Sequence, residues 1–540
     1  MKKHIKYILS MATLASIAAT GCKKEFFNRP PESQTTVGSY YQTAEQVKSS
    51  TNALYAAPWF GFNTKAGWSI SELASGNGRT GSSDVVAFGN FSVSNGNFEL
   101  SAAWNSLFTV IAQSNALLNN LPANVPSSVP ASVVNNALGE ARLMRGLAYF
   151  YLTRLFGNVP LIENPLDQVS NFQTVNTNPV TDAYKFIIRD LKFAEANCTV
   201  GVAGTGHVSS GSASALLAKV YLYQQDYANA RLEAEKVINS GEFQLFGLDI
   251  AGQTFEDLFK IANNNNKESV IALQWLANAG YGFGNAVQAS FAYSSAITQT
   301  GDGYGVLAPS FDLIDAYAAS AGDLRRKATI MLPGDYYTYL DQAQGGYTLP
   351  ANASSQGTHA QIKKYVVGSP ADNGGKSAFQ STGMNTYIMR LSDVYLIAAE
   401  AILGQSAAPA VGHGLDTTAS TTDATALKYY NKIRQRAGVQ QKTKITFRDI
   451  IKERRLEFAI EGDYWYDLCR LDGFNSKTHQ IAISIISKQD RGDSSTDTPP
   501  VRYHDGTYTP KDADFLFPVP ATEVAADPNL VKEPVPYVFK

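Results

Sequence analysis

The sequence predicts a mainly α protein: a scaffold of tetratricopeptide-like helical pairs carrying a large, irregular, loop-rich insertion that contains short strands. Three observations predict it. Apolar residues recur three and four apart in several segments. Two of these segments repeat as alanine-rich helix-turn-helix units, the sequence mark of stacked hairpins. Between the two units, residues 245–385 change texture, to glycine, asparagine and interspersed aromatics.

Taken in order, residues 1–22 read as a lipoprotein signal peptide. Lys2, Lys3 and Lys6 form its positive start, and the apolar run Ile8 to Ala19 is too short for a bilayer span of roughly 20 residues. It ends in Ala19-Thr20-Gly21-Cys22, so Cys22 is the expected lipidation site, which places the chain on a membrane it does not cross. Residues 23–39 form a polar tether that includes Pro30-Pro31.

Residues 40–244 are the expected N-terminal helical region. Within it, 58–100 reads as a Gly- and Ser-rich loop segment holding Trp59, Asn63, Trp68 and Arg79. One helical stripe runs from Trp104 through Leu107, Ile111 and Leu118, and another from Leu138 through Leu147, Phe150 and Leu155. Between Ser212 and Ser240 two helices meet at a tight turn around Asp226-Tyr227, with small residues Ala215, Ala218, Ala230 and Ala234 allowing close approach.

In the insertion, Gly280-Tyr281-Gly282-Phe283-Gly284 and Gly301 to Gly305 cannot be stable helix, since each interior glycine costs about 1 kcal/mol. They read as loops that display Tyr281, Phe283 and Tyr304; Val270 to Leu273 reads as a strand leading to Trp275. Residues 386–540 return to helix: Leu391 to Leu403 pairs with Ala424 to Ala437, and Phe447 to Ile460 follows with a basic face of Arg448, Lys452, Arg454 and Arg455.

Composition excludes several classes. Removing Lys2, Lys3 and Lys6 takes the net charge from −2 to −5, 42 basic residues against 47 acidic, which gives no footprint for nucleic acid. The six histidines are scattered without metal-ligand spacing, there is no twelve-residue calcium loop, and no cofactor is called for. Gly76 to Gly81 matches the dinucleotide fingerprint in letters, but a Ser/Gly loop surrounds it where a strand and a helix are required. Glu140 with Arg142 and Arg145, and Glu453-Arg454-Arg455 with Glu457, read as helix-locking ion pairs three and four apart. Asp323 and Arg325 read alike, and Trp104 and Trp465 as structural. Cys198 and Cys469 fall in segments read as helical, with no disulfide framework.

Taken together, several blocks resemble the SusD/RagB family of outer-membrane glycan-binding lipoproteins: Gly139-Glu140-Ala141-Arg142 through Leu155-Phe156-Gly157-Asn158-Val159-Pro160, the Ala213 to Gly241 hairpin, Arg390 to Ala401, Glu453-Arg454-Arg455, and Phe517-Pro518-Val519-Pro520. The resemblance implies a non-enzymatic protein at the cell outer membrane that captures an oligosaccharide or polysaccharide and delivers it to a SusC-like TonB-dependent transporter. It implies a site of aromatic platforms and polar side chains in the loop-rich regions, for which Trp59, Asn63, Trp68, Arg79, Trp275, Tyr281, Phe283 and Tyr304 are the candidates, Trp68 and Tyr281 foremost. Few basic residues in those loops point to a neutral glycan. The competing readings are a scaffold or transporter lid for a peptide or other non-carbohydrate nutrient, and a glycoside hydrolase, which would need two paired carboxylates.

Overall fold

The computed structural model describes residues 40–164, 175–202, 204–408, 410–492 and 509–539; the leader, Cys22 and the tether lie outside them. The apolar stripes fold as helices α1 (Phe98–Asn124) and α2 (Ala131–Phe156). The predicted hairpin is α4 (Ser210–Tyr223) and α5 (Tyr227–Ser240). Side chains define where each begins: Asn97 accepts the Leu100 amide at 3.0 Å, Ser209 and Ser212 form a reciprocal cap, and Asp226 accepts Asn229 N at 3.1 Å. The segment leading to Cys198, read as helical, is α3 (Val180–Asn197), which buries Tyr184, Ile187, Leu191 and Ala194 at spacings of three and four. It packs between α2 and α4.

The stack continues from α5 onto α6 (Leu391–Ala407) and α7 (Ala424–Arg436), the second predicted pair, with α8 (Phe447–Phe458) beyond. The crossing of α5 with α6 is close: a Cβ on Gly404 would fall 2.3 Å from the Tyr227 ring, so only glycine fits.

The ends of the insertion pair with each other. Strand β1 (Ser269–Leu273) runs antiparallel to β2 (Thr386–Arg390), with Leu273 opposite Thr386 and Ser269 opposite Arg390. Everything between them is therefore an excursion from one ladder, and it returns directly into α6. The other ladders among the described residues are two residues long.

That junction is fixed by buried charge. Glu268 accepts Arg390 at 2.6 Å and Arg436 at 2.7 Å; Glu457 on α8 accepts Arg390 at 2.8 Å, Arg325 at 3.1 Å and Arg436; Glu461 takes Arg390 and Lys364 at 2.7 and 2.8 Å. Arg325 also holds Asp323 and Glu453, each at 2.7 Å. Burial would push the Glu457 carboxyl up, but Arg436, Arg390 and Arg325 hold it far below the usual range.

Three sequence expectations are corrected here. Residues 58–100 are not an open loop: π-helical turns form at Phe62–Ala66 and Ser69–Leu73, and residues 68–78 are buried throughout. Ser69 and Ser71 return their hydroxyls to the Lys65 and Gly67 carbonyls at 2.6 and 2.8 Å, so polar composition here does not mean contact with water. The α8 basic face is divided, Arg448 and Lys452 outside, Arg454 and Arg455 inside on Asp467, Asp393 and Asp312. Arg142 and Arg145 reach across to Asp190 of α3 instead of pairing with Glu140, which accepts Tyr55 and His207. Both cysteines are free; Cys198 lies one residue past α3 and Cys469 ends the helix Tyr464–Cys469.

Two outcomes follow for stability. Arg390→Met removes the one cation common to Glu268, Glu457 and Glu461, leaving Arg436 on the first two and Lys364 on the third, and is expected to cost about 3–5 kcal/mol in urea unfolding; a loss under 1 kcal/mol would mean the junction does not depend on it. Glu72 is fully buried and accepts only neutral donors, Asn77 at 3.0 Å and the Gly462 amide at 2.7 Å, and burial pushes its carboxyl up to about 7. A carboxyl raised on folding stabilises in its protonated form, so the benefit is intact below the ordinary value of 4.5 and is lost as pH rises through 7. Wild-type stability should therefore fall between pH 5 and 8 relative to Glu72→Gln; parallel pH curves for the two proteins contradict this.

Candidate functional site

The sequence candidates separate into a buried group and an exposed group. Trp59 is enclosed completely, its Nε1 donating to the Leu54 carbonyl at 2.8 Å, and it offers no ring face to a ligand. Trp68 donates to the Thr64 carbonyl at 2.9 Å and stands edge-on to Phe291 at 5.4 Å. With Phe62, Asn63, Tyr387 and Tyr466 it borders an interior space of 60 Å³. Cavities that admit a benzene-sized ring run to about 150 Å³, so this space is small for a sugar ring. Trp275 is buried, with Nε1 on the Thr386 hydroxyl at 3.0 Å. Trp59, Asn63, Trp68 and Trp275 are thus interior residues, because their rings and amides complete the packing under the insertion.

The exposed group comes together on three loops. Tyr281, Phe283 and Tyr304 are 63%, 53% and 50% exposed, and Phe379, which the sequence reading does not single out, is 54% exposed. Loop 276–284 and loop 299–305 are joined through a hairpin in which Ser377–Ala378 pairs with Ser381–Thr382. On one side of the hairpin, Asn285 and Thr382 exchange backbone hydrogen bonds at 2.8 and 2.9 Å. Gly284 lies so close to it that a Cβ would meet Ser381 Oγ at 2.0 Å, the reason glycine precedes Asn285. On the other side, the Gln380 amide donates to Asp302 at 2.6 Å and the Gln380 side chain to the Tyr304 hydroxyl at 2.7 Å.

The buried candidates support this surface from beneath. Asn63 donates to Asn285 at 3.2 Å. Phe60 meets Trp275 at 6.2 Å and Tyr281 at 4.7 Å, both edge-on, and this fixes the Tyr281 ring while leaving it open. Arg79 stands apart, half-buried in a cleft of 300 Å³ with Thr80, Gln356 and Arg491, in a strand pairing of Gly78–Arg79 with Ala308–Pro309 that leaves no helix for a dinucleotide. Gln356 links that cleft to the platform, accepting Gly81 N at 2.6 Å and donating to the Gly305 carbonyl at 2.7 Å.

Chemically, the platform offers flat apolar faces beside hydroxyl and amide edges. Segments 276–284, 299–305 and 377–382 contain one charged residue, Asp302, whose two oxygens already accept Thr300 and Gln380. Such a surface suits stacking on an uncharged, partly apolar ligand with directional hydrogen bonds at its rim. Among the described residues no group of histidine, cysteine, aspartate or glutamate side chains could hold a metal ion. Phe379 is missed in sequence because it is one aromatic in a polar run, without the alternating glycines that flank Tyr281, Phe283 and Tyr304; the nearby Gly374-Gly375 pair is the one local sign of a turn.

Known proteins match this chain along its length. The profile of the SusD family matches residues 267–535, and one described as starch-binding associating with outer membrane matches residues 32–222. A SusD-like protein of Bacteroides ovatus is 33% identical over 562 residues, covering 98% of each chain. A crystal structure with xylogluco-oligosaccharide is 31% identical with a TM-score of 0.79, covering 92% of this chain and 99% of that one. A laminarin-binding SusD-like protein is 25% identical with a TM-score of 0.68, covering 91% and 99%.

Proposed function

The chain belongs to the SusD family, and on that premise we propose that it is a non-enzymatic cell-surface protein that captures a neutral oligosaccharide or polysaccharide on the platform of Tyr281, Phe283, Tyr304 and Phe379. The observation that carries this reading is four exposed rings on three nearly uncharged loops, two of them tied by hydrogen bonds to the hairpin that bears the third. Gln380 and the Tyr304 hydroxyl supply directional contacts at the edge, and Arg79 lies at the far rim beyond Gln356. Asp302 is the one carboxylate on these segments, so the two-carboxylate arrangement of glycoside hydrolysis has no second member there.

In this reading the protein is held at the outer membrane by lipid on Cys22 and passes its ligand to a SusC-like TonB-dependent transporter. No helix among the described residues is long and apolar enough to cross a membrane, which accords with an anchor outside the folded body. Exposed stacking sites bind weakly one at a time, so retention of a polymer would rely on several protein copies engaging one chain.

Affinity electrophoresis across xyloglucan, laminarin, starch and acidic polysaccharides tests the proposal. Retardation by a neutral polymer is expected, weakened roughly ten- to hundredfold in the double variant Tyr281→Ala/Tyr304→Ala, since each stacked ring contributes about 0.5–1.5 kcal/mol beyond its area. Thermal stability should hardly change, as both rings are on the surface. Uniform migration of the folded protein through every gel would instead favour a lid or scaffold for a peptide or other non-carbohydrate nutrient.

A further inference from the structure

A second polar site lies within the helical stack, in elements other than the three platform loops. The end of α2, the start of α3, the end of α4 and the segment 466–479 enclose a cavity of 90 Å³ whose lining includes Thr153, Arg154, Tyr223 and Tyr466. Exposed Asn475 and Leu516 edge it. The Arg154 guanidinium is stacked among four rings, 3.8 Å from the centre of Phe150, 4.1 Å from Tyr466, 4.7 Å from Tyr151 and 5.0 Å from Tyr223. Its Nε donates to the Phe150 carbonyl at 3.1 Å, while Nη1 is buried without a partner. The hydroxyls of Tyr223, Tyr466 and Thr153, three side chains almost wholly buried, are likewise without partners.

Buried polar groups are nearly always hydrogen-bonded, and a buried cation is normally paired. Fully buried arginines of this protein do have carboxylates against their charge: Arg145 has Asp190, Arg454 has Asp393 and Asp467, and Arg470 on the wall of the same cavity has Glu400 and Asp467. Asp467 does not serve Arg154, since both its oxygens accept from Arg454 and Arg470. Four such donors belong to side chains that line one small space, and no carboxylate among the described residues forms a salt bridge with Arg154. We infer that this cavity binds a small oxyanion, held by the Arg154 guanidinium and by the hydroxyls of Tyr223, Tyr466 and Thr153. Guanidinium and hydroxyl donors together match the several acceptor oxygens of such an ion.

Calorimetric titration and thermal unfolding with inorganic phosphate, against sodium chloride at equal ionic strength, test the inference on the full chain. Saturable binding and a rise in Tm specific to phosphate are expected, because a ligand taken up by the folded state alone stabilises it. Tyr466→Phe deletes one donor that has no partner in the protein, so the fold should persist while phosphate binds roughly tenfold or more weakly; Tyr223→Phe gives the same readout should the first variant fold poorly. Absence of saturable binding, an equal rise in chloride, or binding unchanged in both folded variants would overturn the assignment. Because none of these readouts involves the aromatic platform, a negative result leaves the glycan proposal standing, and the converse holds.

Discussion

The sharing of Glu457 among Arg325, Arg390 and Arg436 is the interaction on which the rest of the molecule depends. A helical stack can be extended pair by pair, because each repeat contacts its neighbours. A large insertion cannot be accommodated that way, since it has few long strands or helices of its own to bury. Here its two ends are joined by the β1–β2 ladder, and the charges beside that ladder, Glu268 and Arg390, bind each other and are carried onto Arg436 of α7 and Glu457 of α8 respectively. Desolvating so many charges stabilises the fold only if every partner is in place, and that requirement specifies one docking of insertion on scaffold.

A fixed junction allows the outer loops to be irregular. The three platform loops hold one another by a few backbone and side-chain hydrogen bonds around the hairpin at Ser381, with glycine where chains touch. Their aromatic rings are left outward because the space beneath is already filled by Phe60, Trp275 and Asn63. The same aromatic-rich composition thus performs two tasks: buried rings set the height and tilt of the surface, and exposed tyrosines and phenylalanines form it.

Much of the scaffold was legible in sequence, for a physical reason: a helix that buries one face must repeat its apolar residues, and α1, α2, α4 to α8 do so. Strand β1 was legible as Val270 to Leu273 because it is buried on both faces. Helix α3 was read only as the helical segment that reaches Cys198; the burial of Asp190 within it was not foreseen, because it depends on Arg145 of another helix. The partners of buried charges were unreadable for a similar reason: sequence spacing suggested neighbours three and four apart, whereas Arg390 and Glu268 meet across a ladder. The exposure of Tyr281, Phe283 and Tyr304 could be foreseen because flanking glycines signal an exposed turn. Trp59, Trp68, Asn63 and Trp275 misled because serine and glycine around them serve close packing and return hydrogen bonds to the backbone.

The most direct test of the platform is a crystal structure of the protein with a xyloglucan oligosaccharide, or with laminarin fragments if those bind better. The account predicts sugar density lying across Tyr281, Tyr304 and Phe379, with Gln380 at its edge and Trp68 and Trp275 unmoved beneath. Sugar lodged elsewhere, in the open groove beside Trp104 and Phe108 or deep in the Arg79 cleft with the platform bare, would contradict it.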